Sequence, residues 1–315
     1  MISLVSPSTL KRLGILGMNG RNVNYIGRYN DRRLYPLVDN KLKTKKLASE
    51  HGLNTPDLLG YIEYQREISK IADYIPEGEG FVIKPAQGSG GKGILVILSH
   101  EDGFFVKPSG EKLLERDLKR HISNTLSGLY SLGGKNDIAM FERLIEFDDV
   151  FDGFSYEGVP DVRVIVYRGF PVLSMMRLST STSDGKANLH QGAVGVGIDI
   201  VTGRAVNAVQ FDRPVTHHPD TRKVLSELVV PRWDEILDIA ARSYDMTGLG
   251  YLGVDVVLDR RRGPMLLELN ARPGLAIQIA NDTGMLKRFE VVDAVADELK
   301  KAEDRILFSR EKFGR

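Results

Sequence analysis

The sequence contains no cysteine among its 315 residues. Disulfide bonds, thiolate zinc sites and cysteine nucleophiles are therefore excluded. Long apolar runs are also lacking: no stretch approaches the roughly 20 residues that span a membrane, and the apolar part of the N-terminal segment is too short for a signal peptide. We therefore expect a cytoplasmic protein that folds as two or three lobes.

Charge is unevenly distributed along the chain. The formal net charge is +1, but residues 1–46 hold ten lysines and arginines against two aspartates, which leaves +8 there and −7 elsewhere (33 basic, 40 acidic). A basic segment fits phosphates or an acidic substrate, and a solvated basic surface explains it equally well. Basic and aromatic residues do not interleave as they do where bases stack, so a nucleic acid is not an expected partner.

The most informative stretch is residues 251–274, YLGVDVVLDRRRGPMLLELNARPG. Two runs rich in strand formers predict a hairpin. Because side chains of a strand alternate between faces, Glu268 and Asn270 share one face, and pairing can bring Asp255 beside them. Two carboxylates and a carboxamide are ligands suited to Mg²⁺ or Mn²⁺. The alternative is that Glu268 and Asn270 only line the solvated face of an ordinary hairpin.

A second unusual stretch is residues 81–98, FVIKPAQGSGGKGILVIL. It predicts a strand carrying Lys84, a glycine loop, and another strand. The loop contains GxGxxG, but neither a Rossmann fingerprint nor a Walker A loop fits, because both need a helix after the glycines. The HRD and DFG segments of protein kinases are absent. The remaining interpretation is a glycine hairpin that folds over phosphates. The alternative is a tight hairpin without function.

Other elements follow from capping residues and apolar periodicity. We predict helices at about residues 40–51, 64–74, 114–129, 232–246 and 285–305, and strands at 138–145 and on both sides of a turn at 168–169. We expect irregular structure in residues 1–38, a loop from residue 99 to the third helix, a mobile polar binding loop at 179–199, and a frayed tail from residue 309.

Besides Arg168 in its turn, the predicted hairpin of residues 161–179 carries three charged residues. Asp161 and Arg163 share a strand face, and Arg177 can meet them across the sheet. The alternative is a surface ion pair, worth well under ~1 kcal/mol. In the polar loop that follows, His190 is a candidate base, although a lone histidine in a loop is more often only solvated.

With Lys41, Lys84, the glycine hairpin and the Asp, Glu, Asn hairpin in this order, the chain resembles the ATP-grasp superfamily, and within it the RimK-type α-L-glutamate ligases. The shared motifs include the DVR at 161–163, the NLH at 188–190, and GVDVVLD followed by LLELNARPGL. The family pattern NLHRGG reads NLHQGA here, which leaves the amine substrate open. Only about forty residues precede Lys41, so the resemblance implies a truncated N-terminal pre-ATP-grasp region.

The resemblance implies an α+β fold, with ATP between two α+β lobes. It implies a basic N-terminal arm (1–39), an N-terminal lobe with the glycine-rich loop (40–140) and a C-terminal lobe with the metal site (141–315). It implies nucleotide-binding roles for Lys41, Lys84, Gln87, Gly88, Ser89, Gly90, Gly91, Lys92, Gly93, Glu142, Leu144, Ile145, Asp161, Lys186 and Asn188. It implies catalytic roles for Arg163, Arg177, Asn188, His190 and Arg272. Asp255, Glu268 and Asn270 would hold two Mg²⁺ ions, with Mn²⁺ as the other candidate.

The reaction implied by the resemblance is ATP-dependent formation of an amide through an acyl-phosphate, with ADP and phosphate as products. The implied partners are an amino acid, with glutamate favoured, and a carboxylate acceptor on a peptide, protein or small acid. The sequence leaves a homo-oligomer open. A phosphotransferase and a catalytically idle nucleotide-binding regulatory module are the alternatives that the sequence does not exclude.

Overall fold

The computed structural model describes residues 6–88 and 90–314, so Ser89 lies outside the described residues. The chain forms two compact units. The larger comprises Met1–Asp39, Leu47–Asn54 and Phe147–Arg315, and the smaller comprises Asn40–Lys46 and Thr55–Glu146. No helix in the described ranges is long and apolar enough to cross a membrane.

The α-helices of the described residues are α1 Pro7–Arg12, α2 Met18–Gly20, α3 Gly27–Tyr29, α4 Pro36–Asp39, α5 Lys41–Glu50, α6 Glu115–Leu126, α7 Trp233–Thr247, α8 Ile277–Ala280, α9 Leu286–Asp293 and α10 Ala302–Phe313. A π-helical segment spans Arg21–Ile26. Turns of 3₁₀-helix lie at Arg32–Leu34, Gln65–Tyr74, Leu132–Gly134, Asp149–Phe151, Leu189–Gln191 and Leu225–Glu227.

The strands are β1 Leu58–Ile62, β2 Phe81–Pro85, β3 Leu95–Ile97, β4 Ser99–Glu101, β5 Phe104–Val106, β6 Lys112–Leu113, β7 Ala139–Arg143, β8 Asp161–Tyr167, β9 Phe170–Leu178, β10 Val194–Ile198, β11 Ala205–Gln210, β12 Arg213–Pro214, β13 Tyr251–Asp259 and β14 Gly263–Asn270. Among the described residues the smaller unit has sheets of order β1-β7-β2-β3 and β4-β5-β6. The sheet of the larger unit has the order β12-β11-β10-β9-β8-β13-β14.

The two faces of the seven-stranded sheet are covered differently. One face carries even-numbered residues of β8, such as Val162, Val164 and Val166, which pack in a core that also contains apolar residues of α7. The other face carries Ile165 and Tyr167, which pack with apolar residues of α8 and α9. Asp161 and Arg163 belong to this second face, since they alternate with the first set. One end of the second face is therefore charged.

Most of the predicted elements are confirmed. Helices α5, α6 and α7 and the hairpins β8–β9 and β13–β14 lie where capping, periodicity and turn residues indicated. The predicted helix at 64–74 forms as a 3₁₀-helix, Gln65–Tyr74. The strand–loop–strand of residues 81–98 is β2, the glycine loop and β3, which pair antiparallel.

Three expectations for loops and the tail are wrong. Residues 99–113 form the sheet β4-β5-β6, whose two- and three-residue strands are too short to show an alternation. β10 is buried although it lies in a glycine-rich segment, because Gly195 leaves room for the side chain of Leu189 and Gly197 for the backbone of Ala280. The predicted closing helix is split into α9 and α10, and the residues expected to fray belong to α10, where Ser309 and Phe313 are buried.

The N-terminal segment is also more ordered than expected. Its described part forms the short helices α1 to α4 rather than an irregular arm. The buried Asn30 donates to the carbonyl oxygens of Tyr251 and Ala271 at 2.8 and 3.1 Å and accepts from the Tyr251 amide at 2.8 Å. Arg21 donates to the carbonyl of Pro273 at 2.8 Å. These long-range contacts hold the segment against the β13–β14 hairpin.

Candidate active site

A row of charged side chains crosses the second face of the seven-stranded sheet. Asp255 of β13 lies opposite Glu268 of β14 on one side and Arg163 of β8 on the other. Asp161 of β8 lies opposite Arg177 of β9. Paired residues of antiparallel strands point to the same face, so all five side chains share one surface. The predicted meeting of Asp161, Arg163 and Arg177 is confirmed.

The four inner members of this row form a buried network. Arg163 donates to both Asp255 carboxylate oxygens, Nε to Oδ1 at 2.7 Å and Nη2 to Oδ2 at 2.5 Å. Arg177 donates from Nε to Asp161 at 2.7 Å and from Nη2 to Asp255 at 2.8 Å. All four side chains are nearly inaccessible to solvent. The alternative of an exposed surface pair is therefore wrong.

The pKa values of the network reflect its burial and its opposite charges. Burial by itself would raise the pKa of Asp255, but Arg163 and Arg177 outweigh that effect and lower it to about 2. Burial opposes the charge of Arg177, yet Asp161, Asp255 and Glu268 together raise the pKa of its guanidinium. Burial raises the pKa of Asp161 despite the neighbouring Arg177. Asp255 and Arg177 are thus charged at neutral pH.

The three predicted metal ligands lie at one end of the β13–β14 hairpin. Glu268 is opposite Asp255 and Asn270 is opposite Gly253 in the register, which confirms the pairing predicted for the hairpin. Their oxygens suit Mg²⁺. Asp255 already accepts from two arginines, and Asn270 Oδ1 accepts from the Arg272 amide at 2.8 Å, but each carboxylate has about four lone-pair positions. The donor set therefore fits a divalent cation.

Within residues 6–88 and 90–314, no group of three or more His, Cys, Asp or Glu side chains could hold a metal ion. The set Asp255, Glu268 and Asn270 contains only two residues of these types. A metal at this hairpin would therefore depend on the carboxamide as a ligand.

Arg272 lies just after β14, on the exposed surface. Its guanidinium contacts Asp39 at 3.2 Å and lies over the ring of Tyr35, 5.2 Å from the centroid. Both partners belong to the N-terminal segment. The segment thus holds a side chain to which the resemblance assigns a catalytic role.

In the smaller unit, two lysines converge on one buried carboxylate. Lys84 Nζ lies 2.6 Å from Glu142 Oε2, and Lys45 Nζ lies 3.0 Å from Oε1. Oε1 receives no well-formed hydrogen bond within the described residues, so the Lys45 contact is an ion pair only. Burial opposes the charge of Glu142, but the two lysines lower its pKa. Burial lowers the pKa of Lys45 despite Glu142.

Leu144 and Ile145, two of the predicted nucleotide-binding residues, directly follow β7, on which Glu142 lies. Both are half-buried. The Leu144 amide donates to the carbonyl of Gly80 at 3.2 Å. The end of β7 is thereby tied to the start of β2.

The glycine loop is held at its base. Lys41 Nζ donates to the Gly88 carbonyl at 2.7 Å, so this predicted phosphate ligand contacts the loop itself. The Gln87 amide donates to both oxygens of Asp137, at 3.0 and 3.1 Å. Asp137 is buried and also accepts from Ser131. The first residues of the loop are therefore fixed while Lys92 is exposed.

The glycines of this loop differ in the space around them. A Cβ at Gly88 would lie 2.3 Å from Pro85, and one at Gly93 would lie 2.4 Å from the ring of Tyr130. These two glycines are needed for packing. Gly90 and Gly91 have positive φ values of 62° and 76° and nothing within 4 Å of an added Cβ. Their backbone is open to a ligand.

The predicted binding loop of the larger unit contains Lys186, Asn188 and His190. Lys186 pairs with Asp184 at 2.9 Å on the surface. Asn188 Oδ1 accepts from the His190 amide at 3.0 Å and begins the turn Leu189–Gln191. The structure places these residues next to β10, which pairs with β9.

Sequence reasoning missed three residues of these clusters: Lys45, Asp137 and Asn30. Lys45 lies one helical turn after Lys41 in α5, and that spacing is the signal that could have found it. Asp137 and Asn30 act through tertiary contacts, for which the sequence carries no local pattern.

Comparison with known families and proteins now identifies the chain. The model described as sugar-transfer associated ATP-grasp matches residues 20–294. The chain therefore belongs to the sugar-transfer associated ATP-grasp family. The α+β ATP-grasp fold predicted from the sequence is confirmed.

One curated relative is the probable alpha-L-glutamate ligase of Aeromonas salmonicida (strain A449), which is 23% identical over 235 residues. The alignment covers 75% of this chain and 56% of the relative, so the chain spans about half the length of that protein. The relative is of the kind that the RimK-type resemblance predicted.

Solved structures are similar as well. D-Cycloserine synthetase has a TM-score of 0.48 and 15% identity, over 94% of this chain and 82% of that one. The D-alanine–D-alanine ligase of Helicobacter pylori has a TM-score of 0.44 and 13% identity, over 84% of this chain and 62% of that one. At these identities the similarity concerns the fold alone.

Proposed function

We propose that this protein is an ATP-dependent ligase that joins a carboxylate to an amine. The observation that carries the proposal is the row of Asp161, Arg163, Arg177, Asp255 and Glu268 on one sheet face. Phosphoryl transfer needs fixed positive charge for the developing phosphate charge and carboxylates for the accompanying cation. This row supplies both from rigid, paired strands. The family match and the glutamate-ligase relative support the same class of reaction.

Lys41, Lys84 and the backbone of Gln87, Gly88, Gly90, Gly91, Lys92 and Gly93 would bind the phosphates of ATP. Exposed backbone amides at open glycines suit phosphate oxygens. Glu142, Leu144 and Ile145 would contact the adenine and Asp161 the ribose. Because Asp161 already accepts from Arg177, a ribose hydroxyl would share its oxygens. Lys186 and Asn188 would complete the phosphate contacts.

Asp255, Glu268 and Asn270 would hold two Mg²⁺ ions, or Mn²⁺, which neutralise phosphate charge when bound. Arg163 and Arg177 would orient the carboxylate ligands and stabilise the transferred phosphoryl group. Both guanidiniums are buried and bidentate, so they need little rearrangement during the reaction.

The proposed reaction has two steps. A carboxylate oxygen of the acceptor attacks the γ-phosphorus, and the bond to the leaving ADP oxygen breaks, which gives an acyl-phosphate. The amine then attacks the acyl carbon, phosphate leaves, and the amine loses its proton to solvent or to His190. The side chain of Arg272 would orient the co-substrate. No protein nucleophile is required, which agrees with the absence of cysteine.

Glutamate is one candidate amine, since the curated relative is a probable alpha-L-glutamate ligase. The acceptor would be a carboxylate on a peptide, a protein or a small acid. The description of the family as associated with sugar transfer adds acidic sugars to the small acids that are worth testing.

The test is ADP release by the purified protein with ATP and Mg²⁺, amino acids singly and in pairs, and acidic sugars as acceptors. Glu268→Gln keeps the side-chain shape and removes the charge, so we expect at least a hundredfold loss of turnover. Glu298→Gln, an exposed glutamate of the same unit, is the matched control and should keep full turnover.

Product masses decide between reaction classes. An amide product that requires both substrates supports the ligase. A phosphorylated acceptor formed without an amine would indicate a phosphotransferase. Equal turnover of wild type and Glu268→Gln would refute the assignment of the metal ligands.

A further inference from the structure

A cavity lies on the larger unit beside the charged row. Its volume is about 200 Å³, more than ten times the roughly 10–15 Å³ that one water molecule needs. Small organic groups can therefore enter it. Its lining consists of Leu189, His190, Val209, Phe211, Asp212 and Ala276.

The cavity continues the row of catalytic candidates across the sheet. Val209 of β11 lies opposite Gly195 of β10, and Gly195 lies opposite Arg177 of β9. Val209 and Arg177 therefore share a face, about 10 Å apart at a strand spacing of about 4.8 Å. Ala276 follows Arg272 by four residues. The side chain of Leu189, which lines the cavity, covers Gly195 between these two residues.

One wall of the cavity is a strained two-residue turn. Phe211 and Asp212 join β11 to β12 and have φ values of 49° and 59°. Such turns favour Asn-Gly, and a bulky residue with positive φ is an outlier. The Phe211 side chain is nevertheless 56% exposed. A strained backbone that holds an exposed apolar ring indicates a functional role for this turn.

The same turn is fixed to the loop that carries His190. The ring of Phe211 lies so close to Gly192 that a Cβ there would be 2.8 Å from its Cζ. Gln210 Nε2 donates to the Gly192 carbonyl at 2.8 Å. The apolar ring and the candidate base are therefore held on the two sides of one cavity.

The described residues that line the cavity carry charge of one sign, which is negative. Asp212 is its only permanently charged residue, and no lysine or arginine belongs to it. Among the described residues, the Asp212 carboxylate forms no ion pair or hydrogen bond. The lining would attract a second positive charge on a substrate and repel the side-chain carboxylate of glutamate. Leu189, Val209, Phe211 and Ala276 suit a hydrocarbon chain.

We propose that this cavity binds the amine substrate of the proposed ligase, and that it favours a diamine or a basic amino acid over an acidic one. The proposal rests on the proposed function and names its amine. The reacting amino group faces His190, the hydrocarbon part lies on Phe211, and the second ammonium group faces Asp212. This chemistry differs from that of a glutamate ligase.

The first experiment compares free lysine, leucine and glutamate as amines in the ADP-release assay. We expect the order lysine, leucine, glutamate in kcat/KM. Because Asp212 is exposed, Asp212→Asn should lower kcat/KM for lysine about fivefold and leave leucine within about twofold. Asp102→Asn is the matched control, since Asp102 is also exposed and has positive φ in a two-residue turn, between β4 and β5. It should change neither value.

A second variant separates binding from structure. Phe211→Gly relieves the strain, because glycine adopts positive φ without penalty. We expect an unchanged or higher Tm together with at least a fivefold lower kcat/KM for lysine and leucine. A lower Tm with unchanged kcat/KM would show that the ring only packs the turn, and would overturn the proposal.

Failure of the inference and failure of the proposed function give different results. Preference for glutamate with no effect of Asp212→Asn overturns the inference and leaves the ligase in place. If no amine promotes ADP release, saturation-transfer NMR of lysine and of glutamate, with wild type and with Asp212→Asn, tests ligand binding in the cavity independently of turnover. Lysine contacts that weaken in the variant support it, and equal or stronger glutamate contacts overturn it.

Discussion

The two units each bury a cluster of charge, and the two clusters are balanced differently. In the larger unit, Arg163 and Arg177 face Asp161 and Asp255, so each arginine has a carboxylate partner. In the smaller unit, Lys45 and Lys84 share the single carboxylate of Glu142. The first network is complete without a ligand. The second keeps a surplus of positive charge, which favours an anion such as a phosphate group.

The basic side chains of the two clusters also differ: the larger unit uses arginine and the smaller unit uses lysine. Arginine binds a carboxylate with two parallel hydrogen bonds in a fixed plane, whereas lysine is a flexible point charge whose pKa shifts on burial. The arginine network therefore sets geometry, and the lysine pair can turn from Glu142 toward a phosphate.

The largest effect is expected for Asp255→Asn. The change leaves two buried guanidiniums with one aspartate, and breaking a buried pair costs about 3–5 kcal/mol. The single tryptophan, Trp233, lies in α7 of the larger unit, so its fluorescence in urea reports this unit. Asp297→Asn removes an aspartate that is 84% exposed and should cost less than about 1 kcal/mol. Equal losses would refute the importance of burial.

Acid should lower the stability of the larger unit through protonation of Asp255. The folded pKa of Asp255 is about 2, below the roughly 3.9 of an unfolded aspartate. Its contribution, about 2–3 kcal/mol, is complete above about pH 5 and is lost progressively as pH falls toward about 1. The raised pKa of Asp161 acts in the opposite direction. The difference in urea stability between wild type and Asp255→Asn should therefore shrink between pH 4 and pH 2, and a constant difference would contradict this account.

Glu142→Gln should destabilise the smaller unit by about 2 kcal/mol, because two buried ammonium groups lose their counter-charge. Hydrogen exchange of the β2 and β7 amides should rise, while the urea midpoint from Trp233 fluorescence should stay within error. ATP should restore part of the protection if the lysines bind phosphate. Unchanged exchange would mean that the ion pairs add nothing to stability.

The smallest effect is expected for Lys45→Met. Burial lowers the pKa of Lys45, so its charge costs stability at neutral pH and the methionine should leave stability within about 1 kcal/mol of wild type. In wild type the unfolded lysine binds its proton more tightly, so stability should rise with pH up to the unfolded pKa of about 10.4. This rise, read from β2 and β7 exchange free energies, should be absent in the variant.

Much of this architecture could be predicted locally. The period-two pattern and turn of residues 251–274 predicted the β13–β14 hairpin, and the capping and apolar spacing of α5, α6 and α7 predicted those helices. Strands β4 to β6 and the break between α9 and α10 were not predicted. Very short strands show no alternation of apolar and polar residues, and a helix can break without any special residue. The motifs shared with ATP-grasp proteins indicated the class of fold that the family match confirms.

The sequence by itself determined which chemical groups are available: hard oxygen ligands on one hairpin, a glycine loop that can approach phosphate, and no thiol. Only the tertiary structure decided how these groups are paired. Asp255 lies between two arginines, and Lys45 joins Lys84 at Glu142, because strands and helices distant in sequence meet there. The balance of charge in a cluster depends on those meetings, and no local pattern encodes it.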